Sequence, residues 1–137
     1  MNFLVDTNVL SELRRPRPER KVVDWFQTQA QRALYLSVLT LGEIRKGIDK
    51  LPAGPRREAL DHWLTRDLPL YFTGRLLPLD AAVADEWGRL SARVSRPLPA
   101  IDGLLAATAL RHGLGLVTRN TPDFEDLGLE VINPWSG

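Results

Sequence analysis

With 137 residues, 44% of them apolar and 26% charged, the chain has the length and composition of a single folded domain around one core, covering residues 1–137. It contains no cysteine, which excludes disulfides and cysteine-ligated zinc or iron–sulfur centres and makes a reducing cytoplasm the expected compartment. Net charge is +1, no apolar run approaches the roughly 18 residues of a membrane span, and Asp6 interrupts the first apolar stretch, so neither a membrane anchor nor a signal peptide is expected.

Phe3 to Val5 reads as a buried strand ending in the polar turn Asp6-Thr7-Asn8. A short helix follows from Asn8 to about Arg14, stopped by Pro16 and Pro18. The stripe Val22, Val23 and Phe26 predicts a helix over Glu19–Gln31, and Leu34 to Val38 predicts a second strand. Thr40 is placed to cap a helix running to Leu51 on the spacing of Leu41, Ile44, Ile48 and Leu51. After the break at Pro52, Gly54 and Pro55, a helix is expected over Arg56–Leu68, with Leu60, Trp63 and Leu64 on one face. A strand at Leu76–Leu79 precedes a helix over Ala81–Val94 capped by Asp80. The Ala-rich segment Ile101–His112 is helical and ends at Gly113 and Gly115; strands follow at Leu116–Thr118 and Val131–Ile132. Strands alternating with helices predict an α/β fold whose parallel sheet is covered on both faces.

In such sheets chemistry collects beyond the carboxyl ends of the strands. Four acids fall at comparable places: Asp6 after the first strand, Glu43 in the first turn of its helix, Asp102 at a helix start, and Asp123 past the strand ending at Thr118. Each has an ordinary alternative. Asp6 and Asp102 suit helix N-termini, Glu43 suits the macrodipole, and Asp123 suits a turn around Pro122. Four such acids on separate strand–helix units are harder to explain as four caps. Gathered together, the carboxylates repel one another unless protons or a hard divalent cation neutralise them. Gly103, Ala106, Ala107 and Ala109 would let the helix behind Asp102 press closely on the sheet.

Fifteen of the 18 basic residues are arginine, the side chain best shaped to grip phosphate. With the four acids set around a cation, those 18 face 13 other acids, a basic surround for an acidic pocket that suits a polyanionic substrate. A compositional habit explains the arginines equally well. Arg14, Arg15, Arg17 and Arg20 form a basic run near Asp6, and Arg119 follows the strand that delivers the last acid; phosphate contact and a solvated surface are both open. Trp63, Leu64, Leu68, Leu70, Tyr71 and Phe72 concentrate apolar surface for core packing or for a dimer or partner face.

The strings Phe3-Leu4-Val5-Asp6-Thr7-Asn8, Ser37-Val38-Leu39-Thr40-Leu41-Gly42-Glu43, Asp102-Gly103-Leu104-Leu105-Ala106-Ala107-Thr108-Ala109, Thr118-Arg119-Asn120-Thr121-Pro122-Asp123-Phe124 and Ile132-Asn133-Pro134-Trp135 together resemble PIN-domain ribonucleases. More narrowly they resemble VapC-type toxins of bacterial toxin–antitoxin pairs, over essentially the whole chain. The resemblance implies a three-layer α/β/α domain around a parallel sheet, an acidic pocket for Mg²⁺ or Mn²⁺, and endonucleolytic cleavage of RNA. It carries the ligand role to Asp6, Glu43, Asp102 and Asp123, with Thr7, Asn8, Thr118 and Asn120 supporting the pocket. Some relatives have an acid where this chain has Asn120, so either Asn120 or Asp123 fills the fourth position. A homodimer and a small VapB-type antitoxin that inserts into the active-site groove are also implied. The expected reaction is hydrolysis of a phosphodiester by water activated at one or two ions held mainly by Asp6 and Asp102, with Glu43 or Asp123 taking the proton and Arg14, Arg15 and Arg119 holding RNA. His62 and His112 lie in helices away from these motifs, which disfavours histidine-based ribonuclease chemistry.

Three other readings share the acidic pocket. A receiver-like signalling domain needs paired acids after the first strand and a late lysine, whereas a single acid stands here and no lysine follows Lys50. A catalytically weak PIN-like module that binds RNA or protein, and a metal-dependent phosphatase or DNA nuclease, remain open.

Overall fold

In the computed structural model, which describes residues 1–136, strand side chains alternate between two buried faces. The strands are β1 (Phe3–Val5), β2 (Leu34–Ser37), β3 (Leu76–Leu77), β4 (Gly115–Val117) and β5 (Val131–Ile132). They form one parallel sheet in the order β3-β2-β1-β4-β5. Phe3, Val5, Leu34, Leu36 and Val117 face one layer, built from α1 (Thr7–Leu13), α2 (Arg20–Thr28), α3 (Val38–Asp49), α4 (Pro55–His62) and α5 (Leu68–Tyr71). Leu4 and Leu116 face the other, built from α6 (Ala81–Arg93) and α7 (Ala100–His112). This is the expected three-layer α/β/α arrangement, and the period of two explains why both faces are apolar.

Because β1 is central, the chain builds outward to β2 and β3, then crosses back to add β4 on the other side of β1. Connections leaving adjacent strands in opposite directions open a crevice at their carboxyl ends. Here the crevice lies between β1 and β4, and Asp6 and Thr118 are the residues that follow those two strands.

Several boundaries differ from the sequence expectation for local reasons. Ser37, not Thr40, caps α3: its Oγ accepts the Leu39 N–H at 3.1 Å, so β2 ends one residue early and Thr40 is buried within the first turn. β3 stops before Pro78, which has no N–H for the ladder. α2 ends at Thr28, whose hydroxyl occupies the Trp25 carbonyl at 2.7 Å. The helix expected over Arg56–Leu68 is α4 followed by a π-helical turn, Trp63–Asp67, which runs into α5. Of the six apolar residues in this stretch, Leu64, Leu68 and Phe72 are core and Leu70 is exposed.

Gly113 closes α7 in the left-handed conformation at φ 65°, as expected. Gly115 instead belongs to β4. The small residues of α7 serve two neighbours rather than the sheet alone. Ala106 and Ala109 join the core beneath β1 and β4, whereas a Cβ on Gly103 would come within 3.0 Å of the Trp87 indole of α6. Asp102 is therefore fixed by a close α6–α7 contact on one side and by the sheet-facing core on the other.

Candidate active site

Asp6 is almost fully buried at the β1–α1 junction and caps α1, accepting the Thr7 N–H at 2.7 Å. Its other oxygen accepts the Thr118 hydroxyl at 2.8 Å, a side-chain bridge across the crevice between β1 and β4. Asn8 completes the link: its amide donates to Thr118 Oγ1 at 3.3 Å and its carbonyl accepts the Arg119 N–H at 3.2 Å. The capping role and a ligand role are thus not alternatives, because the cap fixes the carboxylate at the mouth of the switch point. Burial holds the Asp6 carboxyl above the usual carboxylate range, against the lowering hydrogen bonds from Thr118 and Thr7. The charges of Glu43 and Asp102 push it further up.

Glu43 comes from α3 and accepts the Thr7 hydroxyl at 2.6 Å, so α1 and α3 are tied together at the site. Asp102, half-buried in the first turn of α7, is also raised, by burial first and then by the charges of Asp123 and Glu43, with Arg96 opposing. Asp6, Glu43 and Asp102 line one cleft of about 640 Å³, together with Thr7, Asn8 and Asn120. Asn120 stands in its wall. Asp123 does not: it is exposed in the turn Thr121–Asp123, and Arg96 anchors that turn by donating to the Asp123 carbonyl at 2.7 Å and gripping Asp126.

The carboxylates are close enough to oppose one another's ionisation, and oxygen donors of this kind suit a hard divalent cation. Among the described residues, no three His, Cys, Asp or Glu side chains already enclose an ion-sized space. In its chemistry, three carboxylates lining one cleft, the donor set is of the kind a hard divalent cation takes.

The expected basic residues separate. Arg15 and Arg119 line the cleft. Arg14 instead stacks over Trp63 at 5.1 Å beside an adjoining groove, and Arg20 pairs with Asp24 at 3.1 Å. The cleft is also lined by residues to which the sequence reading gave no role there, among them the charged Glu12 and Arg56 and the aromatic Trp135. Glu12 is buried, accepts the Glu19 N–H at 2.9 Å and an Arg15 N–H at 3.3 Å, and is held below the usual range chiefly by that backbone bond. A signal for it existed. Asn8, Ser11, Glu12 and Arg15 keep helical spacing on one side of α1, opposite Val9, Leu10 and Leu13.

The cleft continues past Thr7, Ser11, Arg15, Glu43 and Arg56 into a groove of about 430 Å³ between α1, α3 and α4, floored by Ile44, Ile48, Leu60 and Trp63. A polar, acid-lined pocket thus opens directly onto an apolar channel.

With this geometry in place, residues 3–128 match the PIN domain model. The chain belongs to the PIN-domain family. It is 38% identical over 136 residues, 97% of each protein, to "VapC ribonuclease Y4jK" of Sinorhizobium fredii, and 36% identical over 136 residues, 97% of this chain and 98% of the relative, to "Toxin FitB" of Neisseria gonorrhoeae. The crystal structure of FitAcB from Neisseria gonorrhoeae superposes with a TM-score of 0.90 at 36% identity, covering 97% of this chain and 98% of that one. A toxin–antitoxin complex from Klebsiella pneumoniae matches at a TM-score of 0.69 and 27% identity, over 97% and 98% of the two chains. No helix of this PIN-domain chain is long and apolar enough to cross a membrane, among the described residues.

Proposed function

We propose that the chain is a Mg²⁺- or Mn²⁺-dependent endoribonuclease, the toxin of a cytoplasmic toxin–antitoxin pair. The observation that carries this reading is the convergence of Asp6, Glu43 and Asp102 on one cleft at the switch point, in a chain similar to a VapC ribonuclease along nearly its full length. Asp6 and Asp102 would hold the ion, with Glu43 at its edge; when bound, a divalent ion offsets phosphate charge and makes water more acidic. Asp6 is aimed by Thr7 and Thr118, so its carboxylate needs little rearrangement. Glu43, which exchanges a hydroxyl partner for water more readily than Asp6 can, is the better placed carboxylate to take a proton. Asn120 takes the fourth position as a neutral oxygen donor, and Asp123 acts from outside the cleft through its charge on Asp102. Arg15 and Arg119 face the RNA backbone; Arg14 belongs to the adjoining groove.

That groove suits the antitoxin. Its apolar floor would take an amphipathic segment of a VapB-type partner whose basic end reaches the acids, in keeping with the toxin–antitoxin complex among the structural relatives. A homodimer belongs to the same reading, and exposed Leu70 is a contact available to it.

Incubation of the purified protein, free of antitoxin, with structured RNA and Mg²⁺ or Mn²⁺ tests the activity. Discrete cleavage is expected, lost in EDTA and in Asp6→Asn, with no hydrolysis of DNA or of small phosphate esters. Folded wild-type protein that leaves total cellular RNA intact would support the binding-only module instead.

A further inference from the structure

Trp135 lies beyond β5, in a tail with no helix or strand of its own. Asn133 ties this tail to the site: its carbonyl accepts the Trp135 N–H at 2.9 Å, and its amide reaches the Arg119 carbonyl at 3.5 Å. The indole is half-buried against the first core layer, and the Arg119 guanidinium sits over its ring, 5.1 Å from the centroid. Both side chains line the acid cleft. Arg119 is exposed, and among the described residues its guanidinium makes no hydrogen bond or close ion pair, although its charge acts on Glu12 across the same cleft. An exposed arginine at the rim of a pocket lined by Asp6, Glu12, Glu43 and Asp102 is drawn toward those carboxylates unless something holds it aside. The indole offers a face for the cation, and a guanidinium held over a ring keeps N–H donors for other partners.

We propose that Trp135 is a positioning residue for RNA binding. It holds the Arg119 guanidinium along the cleft wall, clear of Asp6 and Asp102, with its edge toward a phosphate next to the one cleaved. The proposal rests on the reading that this cleft takes RNA. It assigns the tail a part in substrate grip and gives Arg119 a fixed direction, which an arginine on a flexible stem otherwise lacks.

A double-mutant cycle tests it in the Asp6→Asn protein without divalent ions, where binding is read apart from cleavage. Affinity for a labelled RNA hairpin with a single-stranded loop is measured by anisotropy at several salt concentrations, and melting curves confirm the fold. Trp135→Ala should weaken binding about three- to tenfold and flatten the salt dependence toward that of Arg119→Ala, because one phosphate contact is lost in each. In the Arg119→Ala background, Trp135→Ala should add nothing, and Trp135→Phe should keep part of the affinity through its weaker ring face. If Trp135→Ala unfolds the tail, Trp135→Phe against Trp135→Leu carries the same comparison. Equal loss with and without Arg119, or affinity indifferent to Trp135, overturns the proposal while leaving RNA binding intact. Absence of any RNA binding by the Asp6→Asn protein removes the RNA reading and the proposal with it.

Discussion

Two buried carboxylates in one cleft have opposite consequences for stability. Asp6 has its pKa raised by burial, so the folded state binds that proton more tightly than the unfolded chain does. Its favourable contribution is present at low pH and is lost as pH rises through the folded pKa; at neutral pH the ionised group weighs against the fold. Asp6→Asn should therefore raise the melting temperature at pH 7 in EDTA by a few degrees, the size that about 1 kcal/mol produces in a chain of this length. The gap should close as pH falls into the carboxylate range. A variant less stable than wild type at pH 7 would show that the Thr7 and Thr118 hydrogen bonds outweigh the burial cost. Asp6, Glu43 and Asp102 were legible in the sequence because each stands where an apolar segment meets a polar turn or a helix start. Glu12 was readable only as part of the polar side of α1 that Asn8, Ser11 and Arg15 share; that it is buried depends on the Glu19 N–H at the head of α2, which spacing within α1 does not reveal.

α1 is the element on which the site is assembled. Its N-terminus is capped by Asp6, its Thr7 hydroxyl meets Glu43, and its Glu12 receives the N–H of Glu19 just before α2. Loss of that last bond leaves a donor at the head of α2 unmet, so Glu12→Ala should cost about 1–3 kcal/mol in chemical denaturation. The lowered pKa of Glu12 gives the effect its sign: the stabilisation is present above the unfolded pKa and is lost as pH falls through the folded one. The variant and wild type should therefore converge in acid, and a difference that persists at low pH would assign the loss to packing. Element types were readable from periodicity, and their ends less so. Either Ser37 or Thr40 suits a cap, and the choice falls to Ser37 because Thr40 is drawn into the buried α1–α3 contact. The π-helical turn at Trp63–Asp67 runs directly into the helix that holds Pro69, a residue with no N–H for the ladder, and periodicity alone did not reveal it.

At the scale of the molecule, sheet order places the site. With β1 central and the crossover after β3, the ends of β1 and β4 meet at a crevice where a crossing chain leaves room; the first turn of α7 brings Asp102 there, and Glu43 arrives from the second turn of α3 rather than the expected first, because Ser37 starts that helix three residues before Thr40. Alternating strands and helices predicted the layers and the parallel sheet. That Asn120 lines the cleft and Asp123 does not was not legible, because both belong to one short turn and only its folding separates them. In the proposed function Asp6, Glu43, Asp102 and Asn120 make one divalent-cation site. Calorimetric titration of Mn²⁺ into the antitoxin-free protein tests it most directly. Binding is expected in wild type, lost in Asp6→Asn and Asp102→Asn, several-fold tighter in Asn120→Asp, and unchanged in Asp123→Asn within about threefold. Equal Mn²⁺ binding by wild type and Asp6→Asn, or none by folded wild type, would contradict it.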